Sequence, residues 1–64
     1  DLRYVNFKGT DLRYAILMGA DLSHADLSGA DLRHADFTGA KTKSTKFKGA
    51  NTENTIFDEE QAEG

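Results

Sequence analysis

Two histidines have the broadest chemical repertoire in this chain, because a histidine side chain can bind a metal ion or transfer a proton near neutral pH. His24 and His34 lie ten residues apart, and the chain contains no cysteine. No serine forms a recognisable set with a histidine and an aspartate, and no glycine-rich phosphate-binding motif is present. These residues therefore favour a non-catalytic protein with no cofactor and no metal site.

Aspartates recur at regular intervals along the first two thirds of the chain. They are Asp1, Asp11, Asp21, Asp26, Asp31 and Asp36. A ladder of carboxylates could imitate the phosphates of a nucleic acid or bind Ca²⁺. The alternative, which we favour, is that each carboxylate accepts hydrogen bonds from nearby backbone, as aspartate commonly does in turns.

A short basic segment follows the aspartates. It contains Lys41, Lys43, Lys46 and Lys48 without an intervening acid. Such a patch could contact a nucleic acid, but we favour solvated lysines that face aspartates of a neighbouring repeat, and we expect no direct nucleic-acid partner. The net charge of −3 is too small to dictate a partner. No apolar run is long enough to span a membrane, so we expect no membrane association.

The regular spacing reflects a five-residue repeat that begins at Asp1. Its second position is Leu or Phe at ten of twelve sites, and its fifth is Val, Ala or Thr at all eleven sites. In an α-helix, five residues advance about 500°, so the Leu and Phe side chains would scatter around the axis. In a single strand, an odd spacing would alternate them between two faces. The chain must therefore turn once per repeat, with the second and fifth positions facing inward.

The turn falls on the third and fourth positions of each repeat. In every second repeat the fourth position is glycine, which supplies the positive φ of a type II turn: Gly9, Gly19, Gly29, Gly39 and Gly49. The intervening turns carry Tyr4, Tyr14, His24, His34, Ser44 and Asn54. For these side chains we expect another turn type or a strained backbone.

The chain resembles the pentapeptide-repeat proteins, whose motif is A-(D/N)-L-x-x. The motif is clearest at Ala20-Asp21-Leu22, Ala25-Asp26-Leu27, Ala30-Asp31-Leu32 and Ala35-Asp36-Phe37. The resemblance implies an all-β fold, a right-handed quadrilateral β-helix with four repeats in each coil. Residues 1–58 would then form about three coils, and residues 59–64 a polar C-terminal tail or the start of a cap.

Four repeats per coil would place residues twenty apart on top of each other. This predicts charge pairs between coils for Asp21 with Lys41, Asp26 with Lys46, and Arg33 with Glu53. The two histidines would lie at diagonal corners, too far apart for one site. The inward threonines of the last coil predict looser packing there: Thr42, Thr45, Thr52 and Thr55.

The ends of the chain add an expectation about assembly. The repeat is already in register at Asp1, which is not preceded by Met, and no capping segment covers the first coil. Solenoids usually cover their open ends, since unpaired strand edges attract other strands. We therefore expect part of a longer chain, or end-to-end stacking on another chain.

Ile16 and Met18 interrupt the polar character of the outward positions and form a possible protein-contact patch. The whole pattern favours a structural scaffold or protein–protein interaction module whose partner is a protein. An alternative comes from the resemblance, since some pentapeptide-repeat proteins are DNA mimics that bind DNA gyrase and protect against quinolones. The family occurs in bacterial cytoplasm and periplasm and in the chloroplast thylakoid lumen, so the resemblance implies one of these compartments.

Overall fold

The computed structural model of the chain describes residues 1–58, and within that range it contains no helix and no extended strand. Isolated parallel β-bridges join residues twenty positions apart, from Asn6 with Asp26 to Asp36 with Ile56. Each bridge lies at the first position of a pentad. Twenty residues therefore complete one coil, as predicted, and the described residues make nearly three coils of four pentads each.

Backbone hydrogen bonds hold adjacent coils together in the pattern of a parallel ladder. The amide of Leu2 donates to the carbonyl oxygen of Asp21 at 2.8 Å, and the amide of Asp26 donates to the carbonyl of Val5 at 2.9 Å. Equivalent pairs recur around the coil, so each middle-coil pentad is bonded to the coils before and after it. These hydrogen bonds pair backbone amide and carbonyl groups that a fold with so little regular strand would otherwise leave unpaired.

Each of the eleven pentads in residues 1–55 makes the same turn. The amide at the fifth position donates to the carbonyl at the second, for example Ala25 to Leu22 at 2.9 Å. The fourth residue has positive φ whether or not it is glycine, with His24 at 65° and Gly29 at 69°. Of the two alternatives expected at the non-glycine corners, the different turn type is therefore wrong and the strained backbone is confirmed. Each corner must join two five-residue segments with the same geometry. The backbone therefore takes the same conformation at every corner, and at the non-glycine corners this conformation costs free energy.

The core lies inside the coils and is most complete in the middle one. Its second-position side chains are fully buried: Leu22, Leu27, Leu32 and Phe37. The small residues at its fifth positions are also buried: Ala25, Ala30, Ala35 and Ala40. The predicted inward and outward positions are thus confirmed in this coil. The corresponding Leu and Phe residues of the outer coils are half-buried and pack against it.

Aromatic rings fill the centre of the solenoid toward its third coil. The ring of Phe37 stacks on that of Phe57, with centroids 5.2 Å apart, and meets the edge of Phe47 at 6.1 Å. Phe47 and Phe57 also contact each other edge to face at 6.0 Å. These contacts join inward positions from different sides of the coil, so no channel runs through this part of the core.

The inward threonines of the third coil behave in two ways. The hydroxyl of Thr45 donates to the carbonyl of Leu22 at 2.7 Å, and that of Thr55 donates to the carbonyl of Leu32 at 2.6 Å. These hydrogen bonds to the middle coil offset the cost of bringing a hydroxyl inside. Thr52 is exposed although its position in the repeat is an inward one, whereas Thr42 is half-buried.

The predicted tail or cap at residues 59–64 lies outside the described residues, as does the predicted end of the repeat just after Asp58. The bridge between Asp36 and Ile56 keeps the repeat in register through the last described pentad. Residues 1–58 contain no helix that could cross a membrane.

Candidate interaction surface

The outward surface is built from the first, third and fourth positions of each pentad, and the first position has a structural role. One Asp or Asn side-chain oxygen accepts the amide hydrogen of the residue two positions later, at 2.9–3.3 Å. This occurs at Asp1, Asn6, Asp11, Asp21, Asp26, Asp31, Asp36 and Asn51. The favoured interpretation of the aspartates, as acceptors for local backbone, is confirmed.

Three of these aspartates also hold an arginine of the same pentad. The guanidinium of Arg33 donates two hydrogen bonds to Asp31, at 2.7 and 2.9 Å, and Arg3 and Arg13 hold Asp1 and Asp11 in the same way. The hydrogen bond from Arg33 is the main cause that lowers the pKa of Asp31 from 3.8 to about 2. Arg33 was expected to pair with Glu53 on the next coil. It bonds instead to Asp31, because a carboxylate two residues away offers two oxygens to its planar guanidinium.

The lysines of the third coil do not form the expected ion pairs. Asp21 and Asp26 are bridged to Lys41 and Lys46 through the backbone, but no lysine among residues 1–58 lies within ion-pair distance of an acid. The pKa of Asp21 is lowered mainly by hydrogen bonds from Ser23, and the charge of Lys41 adds a smaller effect. The carboxylates already point at their own turns, which leaves the ammonium groups to solvent.

The histidines lie on two separate corners, each stacked on a tyrosine of the preceding coil. Tyr4 with His24 and Tyr14 with His34 both have ring centroids 4.8 Å apart, with planes 5° and 6° from parallel. The coil geometry separates the two corners by ten residues, half a coil. No group of three potential metal ligands occurs among residues 1–58.

Ile16 and Met18 are outward and exposed, as the sequence predicts, at 80% and 58% of their maximal accessible surface. Ile56 is also exposed and lies in the same column as Ile16, two coils away, with Asp36 between them. Asp36 turns its carboxylate toward the amide and hydroxyl of Thr38, at 2.9 and 2.6 Å. The side of the solenoid that carries Ile16 and Ile56 is thus its most apolar outward surface.

One open groove lies where the third coil begins, next to Asp58. It encloses about 540 Å³ and is lined mainly by Ser23, Lys41, Thr42, Lys43 and Asp58. The carboxylate of Asp58 accepts the amide hydrogen of Gly39 at 2.7 Å. The lining brings two lysines beside hydroxyl groups, but it contains no histidine and no recognisable catalytic set. No sequence pattern predicts the groove, since it depends on how the third coil lies on the second.

The chain belongs to the pentapeptide-repeat family. The family model for pentapeptide repeats, in eight copies, matches residues 1–39 and 15–51, which together cover most of the chain. The family is typically non-catalytic. No curated protein matches the chain. The family assignment agrees with the five-residue period, the repeated turn and the twenty-residue coil.

Proposed function

We propose that this chain is a right-handed quadrilateral β-helix of about three coils that acts as a non-catalytic scaffold and protein–protein interaction module. Four turns in each of the first two coils support the quadrilateral form, and membership of the family supports its handedness. The exposed apolar column of Ile16 and Ile56 beside Met18 is the observation that carries the interaction role. Apolar side chains grouped on one side of a soluble domain are typical of a contact surface.

The surroundings of this column indicate what its partner offers. The two acids nearest to it in the repeat, Asp36 and Asp58, both bond to backbone amides, and no lysine or arginine occupies an outward position on this side of the described coils. A partner that combines apolar groups with a basic group between them fits such a surface best, because the isoleucines would be covered and the carboxylate of Asp36 matched.

The DNA-mimic alternative receives less support from the charge distribution. A mimic of DNA needs a continuous acidic face, but Lys41 and Lys46 stand beside Asp21 and Asp26 in their columns. Arg3, Arg13 and Arg33 neutralise three further aspartates directly. The resulting surface is mixed in sign, which favours the scaffold.

The experiment begins with a photo-crosslinking amino acid at position 16 in the source organism, with position 51 as the matched first-position site on another side. A partner captured at position 16 is then purified, and its affinity is measured for the wild-type chain and for the Ile16→Asp, Met18→Asp double variant. We expect at least tenfold weaker binding by the double variant, because truncation of central apolar contacts has the largest effect on an interface.

The control is the Asn6→Asp, Asn51→Asp double variant, which adds the same two negative charges at exposed first positions. Aspartate accepts the local amide hydrogen bond at that position as asparagine does, so the fold is preserved. Binding that is unchanged in the Ile16→Asp, Met18→Asp variant, or weakened equally in the control, would remove the apolar column from the proposal. A reaction catalysed by the purified chain would refute the non-catalytic function.

A further inference from the structure

The stack of Tyr4 and His24 ends at a position where the next coil has no ring. Tyr4, His24 and Ser44 occupy the same corner of three successive coils, with φ angles of 64°, 65° and 59°. Backbone hydrogen bonds link these coils at the corner, from Tyr4 to Ser23 at 3.1 Å and from His24 to Lys43 at 3.0 Å. The third-coil position of this column, which we call the open rung, therefore holds only the small hydroxymethyl group of Ser44. It lies beside one face of the exposed His24 ring.

In the third coil the charged side chains nearest this rung are all positive, whereas the middle coil places Asp21 and Asp26 next to Lys41 and Lys46. Lys43 immediately precedes Ser44, and Lys41 and Lys46 lie at the first positions on either side of the corner. Among residues 1–58 none of the three forms an ion pair, because the neighbouring aspartates bond to their own turns. Unpaired ammonium groups beside an open aromatic face can bind an anion and a planar ring together.

The diagonal corner provides an internal comparison. There His34 stacks on Tyr14 with the same centroid distance of 4.8 Å, and the third coil again has a short side chain, Asn54. The residue before Asn54 is Glu53, and the first positions on either side are Asn51 and Ile56. In the third coil this corner has no lysine or arginine beside the open ring face, and the nearest cation of the middle coil, Arg33, is paired with Asp31.

We propose that the corner of Lys43 and Ser44 binds an aromatic ring that carries a phosphate group, as in a nucleotide. The ring stacks on His24 in the rung that Ser44 leaves open, and the phosphate contacts Lys43 together with Lys41 or Lys46. The parallel spacing of Tyr4 and His24 fits a third planar ring in the same column. The site is separate from the apolar column of Ile16 and Ile56 and does not depend on the proposed interaction role.

The test is a titration of the isotopically labelled 64-residue chain with AMP, followed in amide and aromatic NMR spectra. We expect saturable shifts centred on His24, Lys43 and Ser44 and none at His34. Adenosine and pyrophosphate should each bind at least about fivefold more weakly than AMP, since each lacks one of the two contacts. His24→Ala should weaken AMP binding about 5- to 150-fold, as expected for the loss of one stacked ring, and His34→Ala should leave it unchanged.

Ser44→Tyr is the sharpest variant, because it places the chain's own ring in the open rung. Tyrosine already occupies this corner at Tyr4 and the diagonal corner at Tyr14, both with positive φ, so the substitution suits the backbone. It should reduce AMP affinity at least tenfold, and the matched variant Asn54→Tyr should not. Should Ser44→Tyr fail to fold by circular dichroism, Lys43→Gln against Glu53→Gln makes the same comparison.

A tetranucleotide of deoxyadenosine distinguishes the two sources of such a ligand. Tighter binding of the tetranucleotide than of AMP assigns the site to single-stranded nucleic acid, and equal binding assigns it to a free nucleotide. Three results would overturn the proposal: AMP affinity that Ser44→Tyr leaves intact, equal shifts at His34 and His24, or binding of pyrophosphate as tight as that of AMP.

Discussion

The ring of His24 lies flat on the ring of Tyr4, with centroids 4.8 Å apart and planes 5° from parallel. Both residues have positive φ, a conformation that costs a non-glycine residue about 1–3 kcal/mol. A stacked aromatic pair contributes about 0.5–1.5 kcal/mol beyond its area burial, so the stack offsets part of that cost. Ser44, at the same corner in the third coil, has the positive φ without a ring to stack.

Ser44→Gly should therefore stabilise the fold. Glycine adopts positive φ without a steric penalty, while the greater freedom it gives the unfolded chain subtracts part of the gain. We expect the free energy of unfolding to rise by about 1 kcal/mol in urea denaturation. The control is Ser28→Gly, whose φ is not positive and which should be destabilising. Equal destabilisation by both variants would contradict the assigned corner conformation.

Ala25→Leu should destabilise the fold strongly, because Ala25 is fully buried between the large inward side chains of the coils. Overpacking a core of this kind typically costs about 1–3 kcal/mol. Lys43→Leu is the outward control. A substitution of Ser23 would be a poorer control, because Ser23 is half-buried and its hydroxyl donates a hydrogen bond to the carboxylate of Asp21 at 2.7 Å. Thermal unfolding of both variants tests the assignment, and similar shifts in Tm would refute it.

Phe37→Ala should be the more damaging of two truncations in the aromatic cluster. Phe37 is fully buried and contacts both Phe47 and Phe57, so its loss should lower the free energy of unfolding by about 3–5 kcal/mol. Phe57 is half-buried, and its replacement by Ala should cost less than half as much. Urea denaturation compares the two, and a larger effect at Phe57 would show that the core is centred elsewhere.

Acid should destabilise the fold between about pH 4 and pH 2. The pKa values of Asp11, Asp21, Asp26, Asp31 and Asp36 are lowered in the folded chain by hydrogen bonds to the charged carboxylates. Because the unfolded value is 3.8 and that of folded Asp31 is about 2, each carboxylate stabilises the fold above pH 4. This contribution disappears as the pH falls toward the folded pKa. Unfolding midpoints measured across this range check the window.

Asp31→Asn isolates the contribution of one charge. Asn51 occupies the equivalent position in the next coil and accepts the same local amide hydrogen, so the turn should persist in the variant. The variant should have a lower Tm than the wild type at pH 7 and lose less of it on acidification. Arg33→Gln should also reduce the acid sensitivity, because Arg33 is the main cause of the shift at Asp31. Unchanged acid sensitivity in both variants would refute this pairing.

Most of the fold could be predicted from the sequence, because the same pattern of inward and outward positions recurs in every pentad. Leu22 and Ala25 are inward for the same reason as Leu27 and Ala30. A wrong inward or outward assignment at one position would therefore have been wrong at every equivalent position. The exposed Ile16 and Met18 could be predicted in the same way, since they break the polar pattern at outward positions. The sequence did not decide between another turn type and a strained backbone at His24, because it does not show that every corner must have the same geometry.

By itself the sequence determined the period, the turn in each pentad and the side of the backbone on which each residue lies. These follow from local sterics and from the burial of Leu, Phe and Ala at fixed spacing. Only the tertiary structure decided which charged groups meet: Arg33 bonds within its own pentad to Asp31, and no lysine of residues 1–58 pairs with an acid of the neighbouring coil. The physical reason is that pairing between coils places the backbones of one column about 4.8 Å apart. The direction of a long side chain depends in addition on which hydrogen-bond acceptors its neighbours have already occupied.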